Sequence, residues 1–326
     1  MKDVVKRARL IYNPTSGQEI IKKNIAEVLD VLEDVGYETS AFQTTPDPLS
    51  AQNEAERAAK AGFDLIIAAG GDGTINEVVN GVAPLENRPQ LAFIPTGTTN
   101  DYARALKIPM GNPVAAAKII AKNQTIKMDI GRAFGQKYFI NIAAAGTLSE
   151  LTYSVPSEVK SRLGYFAYVA KGAEMLPRSK SRKVRITHDH GVFEGKISLM
   201  FAALTNSIGG FEQIAPDAKL NDGYFTLILV KTAKLFEMLA LMIQAINGGQ
   251  HVKDVNVEYL KTSKLKLEVL DRKEPFMLNL DGEYGGDTPV ELEVFHNHLE
   301  FFANIDEISE NALCSEINDE PGREKC

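Results

Sequence analysis

From Arg7 to about Asp129, short apolar runs alternate with longer stretches whose apolar positions recur every three or four residues. The first pattern suits a strand buried on both faces and the second a helix with one buried stripe. Their alternation predicts a parallel sheet covered by helices. "ARLIYN" is the first expected strand. "EIIKKNIAEVLDVLEDVGY" sets Ile21, Ile25, Val28, Leu29, Leu32 and Val35 at helical spacing, with Gly36 as the C-terminal cap. "ETSAFQT" reads as a second strand, followed by a helix that Asp47 is placed to cap with Pro48 in its first turn. "LIIAAGG" and "QLAFIPTG" predict the third and fourth strands, and "NPVAAAKIIAK" another helix.

Beyond Ile130 the texture changes to strand after strand: "KYFINIAAA", "KVRITHD", "EGKISLMFAAL", "YFTLILV", "VNVEYL", "KLKLEVL", "FMLNL", "VELEVF" and "HLEFFA". Such a run predicts a mainly antiparallel β-sandwich, interrupted by helices near Ser157 to Met175 and near Ala233 to Asn247. The expected organisation is an α/β nucleotide-binding domain of doubly wound parallel type over 1–130 and a β domain over 131–303. The acidic end, 304–326, is expected to fray or to pack back on the first domain.

A chain of 326 residues is longer than one core usually supports, which agrees with two domains. The formal charge of −7 argues against a general nucleic-acid binder, although a local basic patch remains open. The only cysteines, Cys314 and Cys326, lie in the polar tail; no disulfide framework or cysteine-based zinc site is expected, as suits a reducing cytosol. The first apolar run is too short for a secretion signal, and Leu235 to Ile246 is too short, with Glu237 inside it, to span a membrane. A cytoplasmic protein with at most peripheral membrane contact is expected.

Chemistry gathers in three loops. A parallel open sheet delivers the loops after its strands to one edge, where ligands bind. Here those loops are "NPTSG" (Asn13 to Gly17), "GGDGT" (Gly70 to Thr74) and "TGTTND" (Thr96 to Asp101). Gly70, Gly71 and Gly73 let backbone amides approach a polyphosphate and permit positive φ. Asp72 cannot itself favour phosphate and is assigned to a magnesium ion through water. The Walker pattern is absent and "GDGTIN" lacks the third glycine of the dinucleotide fingerprint, which disfavours a P-loop ATPase and an NAD-dependent dehydrogenase. Read alone, the residues reach a metal-dependent nucleotide or polyphosphate site between two domains.

"NPTSG", "GGDGT" with "NEVVNG", "GTTNDYARAL", "PDAKLNDGYF" and "NLDGEYGG" occur in order from Arg7 to Gly286, and together they resemble the diacylglycerol kinase catalytic family of soluble bacterial, Gram-positive type. Sphingosine kinases and NAD kinases are more distantly similar, sharing mainly the GGDG loop. The resemblance implies an ATP site using Asn13, Pro14, Thr15, Ser16, Gly17, Gly70, Gly71, Asp72, Gly73, Thr74, Ile75 and Asn76, completed by Thr44 and Thr98. It also implies a structural magnesium ion held by Asp222 with the carbonyls of Lys219 and Tyr224; this chain has Asn221 where similar enzymes usually carry an aspartate. Asp72 and Asp101 would hold the catalytic Mg2+, with Asp129 joining a carboxylate network between the domains. Asp281 and Glu283 are the candidates for the catalytic base. Their i, i+2 spacing would set both on one face of an extended segment.

The implied reaction is ATP- and Mg2+-dependent phosphorylation of diacylglycerol to phosphatidic acid, by a homodimer visiting an anionic membrane surface. Lys171, Arg178, Lys180, Arg182, Lys183 and Arg185 against the single acid Glu174 offer a basic docking patch beside "LGYFAYVA". Arg104 and Lys107 are candidates to steady the nucleotide or an adjoining loop, with a solvated helix face the preferred reading, and His188, His190, His296 and His298 read as exposed strand or turn residues without zinc spacing. The alternatives are a same-fold kinase acting on another lipid or NAD, and a non-catalytic lipid- or nucleotide-binding regulator.

Overall fold

The computed structural model describes residues 5–97, 99–146, 181–206, 214–231, 234–246, 249–271 and 276–314. The apolar runs of the first half become β1 (Lys6–Tyr12), β2 (Tyr37–Gln43), β3 (Leu65–Gly70) and β4 (Gln90–Pro95), paired in the parallel order β2-β1-β3-β4. β3 is buried along its whole length, which is why it carries no polar alternation. Helices α1 (Ile20–Asp34) and α5 (Pro113–Ala121) lie against each other, as do α2 (Ser50–Lys60) and α3 (Asp72–Val82); the single short turn α4 (Asp101–Ala105) follows β4. α1 buries Ile21, Val28 and Leu32 and stops at Gly36, whose φ of 92° only glycine adopts readily. α2 departs from expectation. It begins at Ser50, after Leu49 in a left-handed conformation, and the Asp47 carboxylate accepts from Thr45 Oγ1 instead of capping it.

The parallel strands do not end the sheet. β16 (Val290–Phe302) meets β4 in parallel at Phe301 and Leu91, then runs antiparallel to β5 (Thr125–Ala133) and β13 (Lys264–Val269). β8 (Arg182–His188) and β9 (Gly191–Ile197) extend it, and β6 (Lys137–Phe139) pairs with β5, giving ten strands in all. A second, fully antiparallel sheet has the order β12-β11-β10-β7-β14-β15, with β7 (Ile142–Gly146), β10 (Leu199–Ala203), β11 (Phe225–Val230), β12 (Val257–Thr262), β14 (Met277–Leu280) and β15 (Glu283–Asp287). The expected sandwich forms where this sheet faces the antiparallel half of the first: Val184, Ile186, Leu265, Leu267 and Leu292 meet Met200, Ala202, Leu227, Leu229 and Leu278 in one core. α6 (Leu235–Ile246) covers the other face of the second sheet through Met238 and Leu241. Leu299, Phe301, Phe302, Ala303 and Ile308 belong to the core of the parallel half.

Two predicted strands are divided differently. "EGKISLMFAAL" breaks at the buried Ser198, where the chain leaves the first sheet for the second. "VELEVF" and "HLEFFA" join into the single β16, with a register shift between Phe295 and Leu299. The predicted helix near Ser157 to Met175 lies outside the described residues. Cys314 also departs from expectation, since it is disulfide-bonded.

Candidate active site

Three loops leave the carboxyl ends of β1, β3 and β4 and touch one another. Thr96 N–H donates to the Gly70 carbonyl at 2.9 Å, and Asn13 N–H to the Ala69 carbonyl at 2.9 Å. Gly17, at φ 55°, lies so close to the Thr96 carbonyl that a Cβ would overlap it. A Cβ on Gly97 would stand 2.6 Å from Gly71 Cα. Close backbone approach therefore explains Gly17 and Gly97, and the Thr74 side chain leaves no room for a Cβ on Gly70, whereas a Cβ on Gly71 or Gly73 would make only ordinary contacts. The expected positive φ is not found: Gly70, Gly71 and Gly73 all lack it, and Gly71 has φ −89° at the start of α3. Asn13 Oδ1 accepts from Thr15 N and Oγ1 at 3.0 and 2.9 Å, and Thr44 N–H donates to the Tyr12 carbonyl, so both sequence-predicted segments sit at this edge. Pro14 and Ser16 belong to the first loop, Ser16 Oγ facing Gly71; Thr74 and Ile75 are buried in α3; Thr98 lies outside the described residues.

Asp72 does two things here. Its carboxylate accepts from the N–H groups of Asn100 and Asp101 at 2.8 and 3.0 Å, binding the third loop to the second. Burial, and then the nearby charges of Asp101 and Asp281, push its pKa up to about 7, against the lowering effect of those two N–H bonds. Acids crowded in this way are a fitting environment for a cation. Among the described residues no group of three or more His, Cys, Asp or Glu side chains is arranged to hold a metal, so a magnesium ion here would take its remaining ligands from water and phosphate. Two buried polar atoms of the third loop, Thr96 Oγ1 and Asn100 Oδ1, have no hydrogen-bond partner within the protein, while Asn100 Nδ2 donates to the Gly70 carbonyl at 3.0 Å. Unpaired buried acceptors and donors at a ligand edge fit a polar ligand. Arg104, expected on a solvated face, instead donates from Nε to the Thr99 carbonyl at 2.9 Å and steadies this loop.

The second sheet closes the site. Asp281 and Gly282, at φ 50° and 96°, form the tight turn between β14 and β15 that Asp-Gly favours. The two acids therefore do not share the face that an extended segment would give them. Asp281 turns inward, where Oδ1 accepts from the N–H groups of Asn141 and Ile142 at 2.9 Å each and Oδ2 from Ile140 N–H and Asn76 Nδ2 at 2.8 and 3.0 Å. Burial raises its pKa; the four hydrogen bonds work against that rise. Glu283 turns outward. It is exposed, and Oε1 lies 3.8 Å from where a Cβ on Gly73 would be. An acid from the second sheet thus faces the GGDGT loop of the first.

Asp129, expected in a carboxylate network between the domains, here ties β5 to the segment before β11 and to β16. Its N–H donates to the Leu220 carbonyl, Oδ2 accepts from Gly223 N–H at 2.5 Å, and Oδ1 faces Asn297 N–H at 2.8 Å and His296 Nδ1 at 2.9 Å. Sequence reasoning missed the contacts of the two histidines at this junction. His296, an exposed strand residue as expected, hydrogen-bonds Asp129, and His298, half-buried, bonds the Ala83 carbonyl and stacks on Tyr138. Burial lowers the pKa of His298. At Asp222, Oδ1 accepts from Tyr224 N–H at 3.1 Å and Oδ2 is paired with the Lys261 ammonium. Asn221, whose identity departs from the usual aspartate, pairs through its amide with the backbone of Cys314. In the sequence-predicted set Lys219, Asp222 and Tyr224, the one carboxylate is held here by the Lys261 side chain.

A family model described as the diacylglycerol kinase catalytic domain matches residues 7–133, and one described as the YegS C-terminal NAD kinase beta sandwich-like domain matches residues 145–303. The chain is 51% identical over 295 residues to a diacylglycerol kinase of Bacillus subtilis (strain 168), an alignment covering 90% of this chain and 95% of that one. The chain belongs to the diacylglycerol kinase family. A Staphylococcus aureus (strain bovine RF122 / ET3-1) diacylglycerol kinase is 46% identical over 97% of this chain and 98% of its own. A crystal structure described as a diacylglycerol kinase from Bacillus anthracis str. Sterne superposes with a TM-score of 0.76 at 28% identity, covering 92% of this kinase and 97% of that chain. The two matched family regions meet where the three loops of the first sheet face Glu283 of the second.

Proposed function

We propose that this kinase transfers the γ-phosphoryl group of ATP to the primary hydroxyl of diacylglycerol, giving phosphatidic acid, with Glu283 as the general base. The observation that carries the reading is the placement of the exposed Glu283 carboxylate beside Gly73 of the GGDGT loop. Asp281 is a poor competitor for that role, because its oxygens already accept four hydrogen bonds and a base must reach the substrate proton.

Phosphoryl transfer depends on positioning and charge neutralisation more than on covalent help. The N–H groups and hydroxyls of the 13–17, 70–76 and 96–101 loops would bind the triphosphate, with Gly71 and Gly97 giving the backbone room to approach it. Asp72 and Asp101 would hold Mg2+ through water, and that ion would supply positive charge to the phosphates. Glu283 takes the proton of the acceptor hydroxyl as its oxygen bonds the γ-phosphorus, and the bond to the bridging oxygen breaks to release ADP. No step of this chemistry is routed through Asp222, which Lys261 contacts here.

A lipid acceptor brings with it peripheral contact at a bilayer. The face of α6 carrying Phe236 and Ile243, two turns apart and 84% and 58% exposed, supports that contact. The basic patch supports it less than its charge count suggests, because Lys183 and Arg185 both pair with Glu194; Lys171, Arg178 and Lys180 lie outside the described residues. The homodimer rests on the resemblance alone and is read by light scattering. The primary test is labelled-phosphate transfer from ATP in mixed micelles with diacylglycerol, monoacylglycerol, sphingosine and NAD offered separately. Phosphatidic acid formation lost in Glu283→Gln supports the reading. Labelling only of another acceptor, or none despite ATP binding, overturns the assigned substrate or the assigned activity respectively.

A further inference from the structure

α3 is almost wholly apolar where it faces its own sheet, yet it carries two asparagines one turn apart, Asn76 and Asn80, on the side that meets the second half of the molecule. Asn80 treats Tyr138 as a neighbouring strand would. Its Oδ1 accepts from Tyr138 N–H at 2.9 Å and its Nδ2 donates to the Tyr138 carbonyl at 2.9 Å. Nδ2 also reaches the carbonyl and Oδ1 of Asn76 at 3.0 and 3.1 Å, and Asn76 Nδ2 donates to Asp281 Oδ2 at 3.0 Å. The Asp281 carboxylate then collects the N–H groups of 140–142, which begin two residues after Tyr138, so the chain of bonds closes on itself.

These contacts join three pieces that the reaction must align. α3 begins at Asp72 and Gly73 in the nucleotide loop, Asp281 opens the turn whose other end is Glu283, and β6 leads into β7 of the second sheet. Side-chain amides suit the task because each supplies a donor and an acceptor in one plane, which fixes both spacing and angle against a backbone peptide. Resting on the assignment of Glu283 as base, we propose that Asn80, acting through Asn76 and Asp281, is a positioning residue that sets the distance between the GGDGT loop and Glu283. It touches no reacting atom. Its effect is on alignment, where a displacement of roughly 1 Å is enough to cost on the order of 100-fold in rate.

The test compares wild type with Asn80→Ala, Asn80→Asp and Asn76→Ala in the full chain. Asn80→Asp is nearly isosteric: it keeps the acceptor for Tyr138 N–H but sets an anion against the Tyr138 carbonyl. Each variant is assayed well below its own melting temperature for kcat, KM and ATP dissociation constant. Amide hydrogen exchange is followed over 137–142. The expected result is a kcat lower by about 10- to 100-fold in Asn80→Ala and Asn80→Asp, an ATP dissociation constant within about twofold of wild type, and faster exchange over 137–142. Unchanged kcat in a folded Asn80 variant overturns the proposal, as does a parallel loss of ATP binding and kcat, which would mean damage to the nucleotide loop. If Asn80→Ala fails to fold, Asn80→Asp carries the same comparison. If wild type makes no phosphatidic acid, the function assigned above has failed separately, and unchanged exchange over 137–142 in the Asn80 variants then overturns the positioning role on its own.

Discussion

Asp281 and Glu283 are two residues apart and have opposite fates because Asp281 is itself left-handed and Gly282, also at positive φ, completes the turn before Glu283. The spacing was visible in the chain; the reversal of direction comes from hairpin geometry, and with it the separation of a satisfied carboxylate from an exposed one. Glu283→Gln should therefore lower kcat by about 10²- to 10⁴-fold with ATP binding retained, measured by single-turnover transfer and calorimetry. Asp281→Asn should act differently. An amide would turn a donor toward N–H groups that now meet an acceptor, so loss of thermal stability should accompany its loss of turnover.

Asp72 gives a pH prediction. Its folded-state pKa, raised to about 7 by burial first and neighbouring carboxylates second, exceeds that of the unfolded chain. Between the ordinary carboxylate range and about 7 the folded protein holds the extra proton, so this residue's contribution to stability is fully present below the unfolded pKa and is lost as pH rises through about 7. The slope is at most about 1.4 kcal/mol per pH unit. Urea melts between pH 5 and pH 8 should show this fall in wild type, and a smaller one in Asp72→Asn. Saturating Mg2+ should flatten it too, since a cation favours the ionised form.

At the scale of elements, periodicity in the first half was a faithful guide, because each helix there buries one stripe and each central strand both faces. The errors came where an element's role depended on something distant. Nothing local marks Ser198 as the point where a strand changes sheets, for its N–H and hydroxyl are taken up by the Val230 carbonyl, 32 residues on. The polar run His296 to His298 looked like a turn between strands; in the fold its backbone and side chains serve Asp129 and Ala83 while β16 continues. β16 also joins the two halves through Phe301, whose ring lies 5.3 Å from both Phe93 and Tyr102. Phe301→Ala should cost roughly 3–5 kcal/mol in urea unfolding. Asn112→Ala, which removes the side-chain acceptor for Ala115 N–H at the start of α5, should cost only about 1 kcal/mol and leave transfer unchanged.

Across the whole molecule, the active site is a junction between the parallel edge of one sheet and a hairpin of the other. On the proposed reaction that junction would meet a bilayer, and the exposed apolar pair on α6 gives a measurable consequence. Phe236→Ser with Ile243→Ser should reduce sedimentation with anionic phospholipid vesicles several-fold, while turnover on a short-chain, soluble diacylglycerol stays at the wild-type level. Equal vesicle binding would place membrane contact elsewhere. No described helix is long and apolar enough to cross a membrane.

The amino-acid sequence by itself determined the parallel-then-antiparallel order of the chain and the three glycine-bearing loops at one edge. Both depend on spacing and on which residues tolerate close backbone approach, properties that reside in neighbouring positions. Only the tertiary structure decided which of two acids faces the loop, that a lysine holds the carboxylate at Asp222, and that Asn80 bonds a strand 58 residues away. Those outcomes depend on which donors the fold brings within about 3 Å of an acceptor. Contacts between distant segments of a chain leave no period in it.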